Sequence, residues 1–114
     1  MLQEDKYPDN FVDVGIDDCG DIYHKDANGE FHNPYGPAKI YSDGGKKYYI
    51  HGKLHRTDGP AIMYPNGSNA YYIHGVLHRT DGPAVIWNDG SKEYWVNDNR
   101  LSEEDFNKLY VTRR

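Results

Sequence analysis

One 23-residue pattern occurs three times in tandem and limits what this chain can fold into. Residues 52–74 read GKLHRTDGPAIMYPNGSNAYYIH and residues 75–97 read GVLHRTDGPAVIWNDGSKEYWVN; residues 29–51, GEFHNPYGPAKIYSDGGKKYYIH, align in the same frame without a gap. A fixed period of this length means that one supersecondary unit is repeated, each copy burying its apolar surface against its neighbours. Within a copy, Ala61–Tyr64, then Pro65–Ser68, then Asn69–Ile73 reads as strand, turn, strand. Asp43-Gly44, Asn66-Gly67 and Asp89-Gly90 accept positive φ at little cost and mark tight hairpin turns. A second reversal falls at His51-Gly52 and His74-Gly75. Two turns per unit predict strands of about four to six residues, paired with their sequence neighbours. The expected fold is mainly β, an antiparallel meander of three hairpin repeats.

The array has different ends. Residues 1–28 read as an N-terminal strand and cap, with alternation in Phe11–Val14 and, at Gly20–Asn28, a fragment of a preceding unit in a poor frame. In residues 98–114, Ser102 supplies an N-cap and Glu103-Glu104-Asp105 an acidic first turn. Phe106, Leu109 and Tyr110 then share one face of a short capping helix that covers the last hairpin. A chain of 114 residues is one domain. Its aliphatic residues are few, and 11 Tyr and 2 Trp supply the buried area instead. Cys19 is the single cysteine, which excludes an internal disulfide or a multi-cysteine zinc site. No apolar run approaches the ~20 residues of a membrane span, and the acidic start Met1–Asp5 does not read as a secretory signal, so a cytoplasmic protein is expected. A net charge of −5 argues against direct nucleic-acid binding and against attachment to anionic membranes.

The stretches Tyr48-Tyr49-Ile50-His51-Gly52-Lys53-Leu54-His55 and Tyr71-Tyr72-Ile73-His74-Gly75-Val76-Leu77-His78, with the Asn66-Gly67-Ser68 and Asp89-Gly90-Ser91 turns, resemble the membrane occupation and recognition nexus (MORN) repeat. The departure is His55-Arg56-Thr57-Asp58-Gly59-Pro60-Ala61 in place of the family's usual His-Gly-x-Gly. This variant is similar to those of short proteins from bacteria, large viruses and bacteriophages. The resemblance implies a β-hairpin repeat with scaffolding or binding roles and no catalysis. It also implies, by analogy, a phage-encoded inhibitor of a host defence protein, acting in the host cytoplasm.

His55, Thr57 and Asp58 invite a catalytic reading as base, nucleophile and orienter. Side chains three apart in an extended segment point away from one another, and the set recurs intact at His78, Arg79, Thr80 and Asp81, whereas an enzyme needs one assembled site. Asp58 cannot close an Asx-turn, because the residue two positions on is Pro60, which lacks an N–H. An Arg56–Asp58 pair, repeated at Arg79 and Asp81, is therefore expected within or between copies. His51/His55 and His74/His78 have zinc-like spacing, but a hairpin turn between them separates the rings, and neither a metal nor another cofactor is expected.

The aromatic residues fall into columns: Tyr41, Tyr64 and Trp87; Tyr48, Tyr71 and Tyr94; Tyr49, Tyr72 and Trp95. Adjacent strand residues face opposite sides, so one column meets the core or the capping helix and another meets solvent. An exposed ladder flanked by histidine and arginine suits a binding surface, although a thin sheet also uses aromatics on both faces for rigidity. The candidate binding residues are Tyr49, Tyr72, Trp95, Tyr64, Trp87, His55, Arg56, Thr57, His78, Arg79 and Thr80. Two functions follow as expectations: a non-enzymatic module for a host protein, or a sequestering protein for a nucleotide, with arginine and threonine on phosphate and tyrosine on the base. Unpaired sheet edges also allow a homo-oligomer. Lys39/Ile62/Val85 and Lys47/Ala70/Glu93, which differ between copies, are the expected specificity positions.

Overall fold

Two kinds of reversal build each unit, and both are visible in the backbone angles. In the computed structural model, which describes residues 13–111, the turns at Gly44, Gly67 and Gly90 place only the glycine at positive φ. Tyr41, Tyr64 and Trp87 N–H groups donate across them to the carbonyls of Gly45, Ser68 and Ser91, at 2.8–2.9 Å. Three residues intervene, as in a loop that ends in one left-handed residue, where glycine alone avoids a Cβ clash. The Asp/Asn before each glycine uses its side chain instead: Asp43, Asn66 and Asp89 Oδ1 each accept an N–H two residues on. The other reversal, at His51-Gly52, His74-Gly75 and Asn97-Asp98, has both central residues at positive φ, the two-residue hairpin whose twist matches its strands.

The strands follow. The N-terminal part holds β1 (Asp13–Ile16) and β2 (Ile22–Lys25). Next come β3 (Lys39–Ile40), β4 (Lys46–Lys47), β5 (Tyr49–Ile50) and β6 (Lys53–Leu54). Their counterparts one period later are β7 (Ile62–Met63), β8 (Asn69–Ala70), β9 (Tyr72–Ile73) and β10 (Val76–Leu77). The array closes with β11 (Val85–Ile86), β12 (Lys92–Val96) and β13 (Asn99–Leu101). Among the described residues, nine strands form one antiparallel sheet in the order β1-β2-β3-β4-β7-β8-β11-β12-β13, while β5-β6 and β9-β10 form two side hairpins.

The meander is thus branched. Each extended segment of five residues, such as 69–73, pairs its first half with the main sheet and its second half with the side hairpin. The expected strands of four to six residues are present as extended chain, but most ladders within them are two residues long. Side hairpins bind consecutive units: Gly75 N–H donates to Leu54 O at 2.8 Å and Asp98 N–H to Leu77 O at 2.9 Å.

The first hairpin is built like the others, which the poor frame of Gly20–Asn28 hid. Asp17 N–H donates to Asp21 O across Gly20 at φ 87°, repeating the glycine turn. Its second reversal, Asp26–Glu30, is longer than His-Gly, with Asp26 Oδ1 accepting from Asn28 and Glu30 N–H, so the later frame slips by one residue. Phe11 and Val12 of the expected N-terminal strand lie outside the described residues; Asp13 and Val14 are in β1.

Cross-strand partners line up as a row: Gly15, Tyr23, Lys39, Lys47, Ile62, Ala70, Val85 and Glu93 are opposed in turn and so share one face. Ile62, Ala70 and Val85 are buried there, under Leu54, Tyr72, Leu77 and Trp95. Ala38, Ala61 and Ala84 are fully buried on the opposite face. Packing therefore fixes Ile62, Ala70 and Val85, correcting their expected role in specificity. At the C-terminus, Ser102 Oγ accepts from Asp105 N–H at 3.0 Å and caps α1 (Glu103–Phe106). Phe106 packs on Tyr94, ring centroids 4.7 Å apart, and on Tyr110 at 5.3 Å. The chain then widens into a π turn, Asn107–Val111, which rotates Leu109 outward to 62% exposure and corrects its expected place on the packed face.

Phe106→Ala is expected to destabilise by about 3–5 kcal/mol, whereas Leu109→Ala stays within about 0.5 kcal/mol of the parent. Urea midpoints of the two variants measure this, and a Leu109 effect as large as that of Phe106 would contradict the π turn.

Candidate functional site

Each repeated histidine accepts a backbone hydrogen bond from the neighbouring reversal. His51 N–H donates to His32 Nδ1 at 2.8 Å, His74 N–H to His55 Nδ1 at 2.9 Å and Asn97 N–H to His78 Nδ1 at 3.0 Å. The donors are the non-glycine residues at positive φ, a conformation that costs about 1–3 kcal/mol when nothing offsets it. An acceptor at Nδ1 places the neutral ring's proton on Nε2. Rings meet 19 residues apart, His32 on His51 at 3.9 Å and His55 on His74 at 4.4 Å. The zinc-like spacing seen in sequence is thus replaced by a different pairing.

Among the described residues one cluster could hold a metal ion, formed by Asp26, His32 and His51. Asp26 Oδ2 and His51 Nδ1 are already 2.7 Å apart in a hydrogen bond, and His32 Nδ1 holds the His51 N–H. That bond to His51, opposed by burial and helped by the Glu30 and Asn28 N–H groups, keeps the Asp26 carboxyl below the usual aspartate range.

The Arg–Asp pairs form within copies. Arg56 Nε donates to Asp58 Oδ1 and Arg79 Nε to Asp81 Oδ1, both at 2.9 Å. The fork is completed by a carbonyl, since the NH1 groups donate to Pro60 O and Pro83 O at 3.1 Å. The guanidiniums lie on the rings of Tyr48 and Tyr71, 4.1 and 3.9 Å from the centroids. Gly59 and Gly82 leave the space, for a Cβ there would stand 2.7 and 2.9 Å from the arginine Cζ. In the first copy Asn33 Nδ2 donates to Pro37 O at 3.1 Å, doing the arginine's work on that carbonyl.

Between successive corners lies a groove of about 480 Å³, lined by Arg56, Thr57, Tyr71, His78, Arg79 and Thr80 among others. A smaller groove of about 270 Å³ repeats it one unit earlier, where Tyr48 and His55 take part. The structure therefore gathers His78, Arg56, Thr57, Arg79 and Thr80 with the Tyr48/Tyr71 column. It does not bring them to Tyr49, Tyr72 and Trp95, which strand alternation puts on the opposite face with Ile62 and Ala70.

On that opposite face the aromatics interleave with charge. Lys25 lies over Tyr23 and Phe31, Lys39 over Phe31 and Tyr41, and Lys47 over Tyr41, at 4.7–5.5 Å. Lys39 also lies 3.6 Å from Asp17 and 3.9 Å from Asp21. Tyr49 packs on Phe31, ring centroids 5.3 Å apart, while Tyr64 and Trp87 are each 40% exposed. Trp95 Nε1 and Trp87 Nε1 donate to the two oxygens of Glu93, at 2.9 and 2.8 Å. These bonds, Trp95's first, outweigh burial and hold the Glu93 carboxyl below its ordinary range. Sequence reasoning missed Glu93 as the clamp that sets both indoles; its signal was an acid between two tryptophans where the other copies carry Lys47 and Ala70.

In comparison with known proteins, no family model, curated protein or solved structure matches the chain.

Two predictions follow from the corners and the histidines. Asp58 is 84% exposed, so Asp58→Ala is expected to cost less than about 1 kcal/mol. Arg56→Ala strips the Pro60 carbonyl and the Tyr48 ring as well and is expected to cost about 1–3 kcal/mol in chemical denaturation. Burial, then the neighbouring His74, pushes the His55 pKa below its ordinary 6.5. The folded state thus binds that proton less readily than the unfolded chain, so the contribution is intact above pH 6.5 and lost as pH falls below it. Denaturation at pH 7.5 and pH 5 is expected to show a smaller loss for His55→Phe than for the parent; equal losses would exclude His55 as the titrating group.

Proposed function

We propose that the chain is a non-enzymatic protein-interaction module that binds through its aromatic face. The observation that carries this reading is the pair Tyr64 and Trp87, on the same face in consecutive units and each 40% exposed. Glu93 anchors the Trp87 indole, so ordering that side chain on binding costs little. Tyrosine and tryptophan held in this way are the residues that dominate binding energy at protein interfaces. The repeated His-Arg-Thr-Asp corner supports a structural role: its histidine Nδ1 atoms, guanidiniums and Asp Oδ1 atoms are bonded within the fold. For the same reason a nucleotide is the weaker reading, because each corner arginine already carries a carboxylate. The MORN-like pattern of the repeats agrees with a scaffold or binding role.

Immobilised protein is expected to retain a specific protein from bacterial lysate. Tyr64→Ala and Trp87→Ala are each expected to reduce that capture tenfold or more at an unchanged thermal midpoint. Capture equal to the parent in both variants, or no protein retained by the parent, would refute the aromatic-face reading.

A further inference from the structure

The other end of this face holds a slot of about 200 Å³ between Tyr41 and Tyr64, lined also by Ile62, Met63, Lys46 and Lys47. The two tyrosines occupy the same position in consecutive units, two strand steps or about 10 Å apart, which leaves room for one flat ring. An apolar cavity of about 150 Å³ is enough to take benzene. Lys47 shares the face of Ile62, while Lys46 is opposed to Met63 on the other face. Lys47 lacks an ion pair among the described residues, whereas Lys39 has Asp17 and Asp21. Asp43 also borders the slot, but its Oδ1 accepts the Gly45 N–H of its own turn. At the equivalent positions the next unit carries Asn69 and Ala70 and the last carries Lys92 and Glu93. Among the three repeats, a cation at this position of the slot's face therefore occurs in this unit alone, in a protein of net charge −5. Burial pulls the Lys47 ammonium toward neutrality, but the phenol of Tyr41, with those of Tyr49 and Tyr64, outweighs it and raises its pKa. Lys47 is accordingly charged throughout the neutral range.

We propose that this slot takes an aromatic side chain flanked by carboxylates on an extended segment of the partner polypeptide. The proposal rests on the interaction-module reading and gives the partner its chemistry. The ring enters between Tyr41 and Tyr64 above Ile62, and a flanking carboxylate meets Lys47. Such a group matches both the size of the slot and the sign of its rim.

The test is a titration of ¹⁵N-labelled full-length protein with three capped peptides, Glu-Glu-Phe-Glu-Glu, Glu-Glu-Ala-Glu-Glu and Lys-Lys-Phe-Lys-Lys, and with oligothymidylate. The acidic phenylalanine peptide is expected to shift the amides of Tyr41, Lys46, Lys47 and Tyr64 saturably. The alanine peptide is expected to bind at least tenfold more weakly, and the lysine peptide to leave those amides unmoved. Lys47→Gln is expected to weaken the acidic phenylalanine peptide several-fold, and Lys46→Ser, on the other face, to leave its binding unchanged, while Trp87-dependent capture persists; equal weakening by both would overturn the assignment of the rim. The proposal is overturned by absence of saturable shifts at millimolar peptide, by equal binding of the alanine peptide, or by shifts at these residues with oligothymidylate alone. Any of those results with Tyr64- and Trp87-dependent capture intact would remove the slot and leave the module reading standing.

Discussion

The array depends on one hydrogen bond repeated along it, from the backbone N–H of a left-handed residue to the ring nitrogen of a histidine. The two-residue reversal needs positive φ at both central positions, and its first residue is His51, His74 or Asn97 rather than glycine. The strain is offset by an acceptor supplied 19 residues earlier, shortly after the preceding reversal. Each turn is thereby fixed by its neighbour rather than by itself, and a unit taken alone would lose part of what holds its turn. That is how a stack of small units with few aliphatic residues becomes cooperative.

The opposite side of the sheet follows the same logic with different atoms. Ser42 N–H donates to Asp21 Oδ1 at 2.8 Å and Asn88 N–H to Ser68 Oγ at 2.9 Å, each across one unit. Between them stands Pro65, which has no N–H to satisfy, and there the preceding unit carries Gly45 in place of an acceptor. A Cβ on Gly45 would lie 3.2 Å from Pro65 Cδ. The exchange of Asp or Ser for Gly is thus a donor–acceptor account balanced residue by residue. It also explains how copies can differ in sequence while the glycine turns stay superimposable in their hydrogen bonds.

What could be read from sequence was whatever depends on residues close together in the chain. The hairpins followed from Gly spacing, the cap from Ser102, and the Arg56–Asp58 pair from the absence of an N–H on Pro60. The forked strand was not legible, because the partner changes between Ala70 and Tyr72 with no break in the alternating pattern. Nor were the His32–His51 and His55–His74 pairs, since they depend on which unit lies beside which. Leu109 was misplaced because helical spacing assumes 3.6 residues per turn, and the chain leaves that geometry after Phe106. The candidate binding residues divided between two faces for a related reason: adjacent residues such as Tyr71 and Tyr72 look alike in composition and lie on opposite sides of the sheet.

Repetition itself separates assembly from recognition. An atom engaged in the same bond in two copies, such as Arg56 and Arg79 Nε, is answering a demand of the array. A position whose chemistry changes from copy to copy without being buried is free of that demand. Lys47 and Glu93 are two such positions, in one row with the buried Ala70, and they carry opposite charges. The exposed aromatic face is consequently polarised along the array, with the Lys47 cation beside Tyr41 and an acid clasped by two indoles at Trp87 and Trp95. A partner bound across both ends would be read in one direction only, because reversing it would set its carboxylates against Glu93 and leave Lys47 without a counter-ion. A stack of nearly identical units would otherwise offer a sliding ligand several equivalent registers. The departures from the repeat at these few positions are what remove that degeneracy.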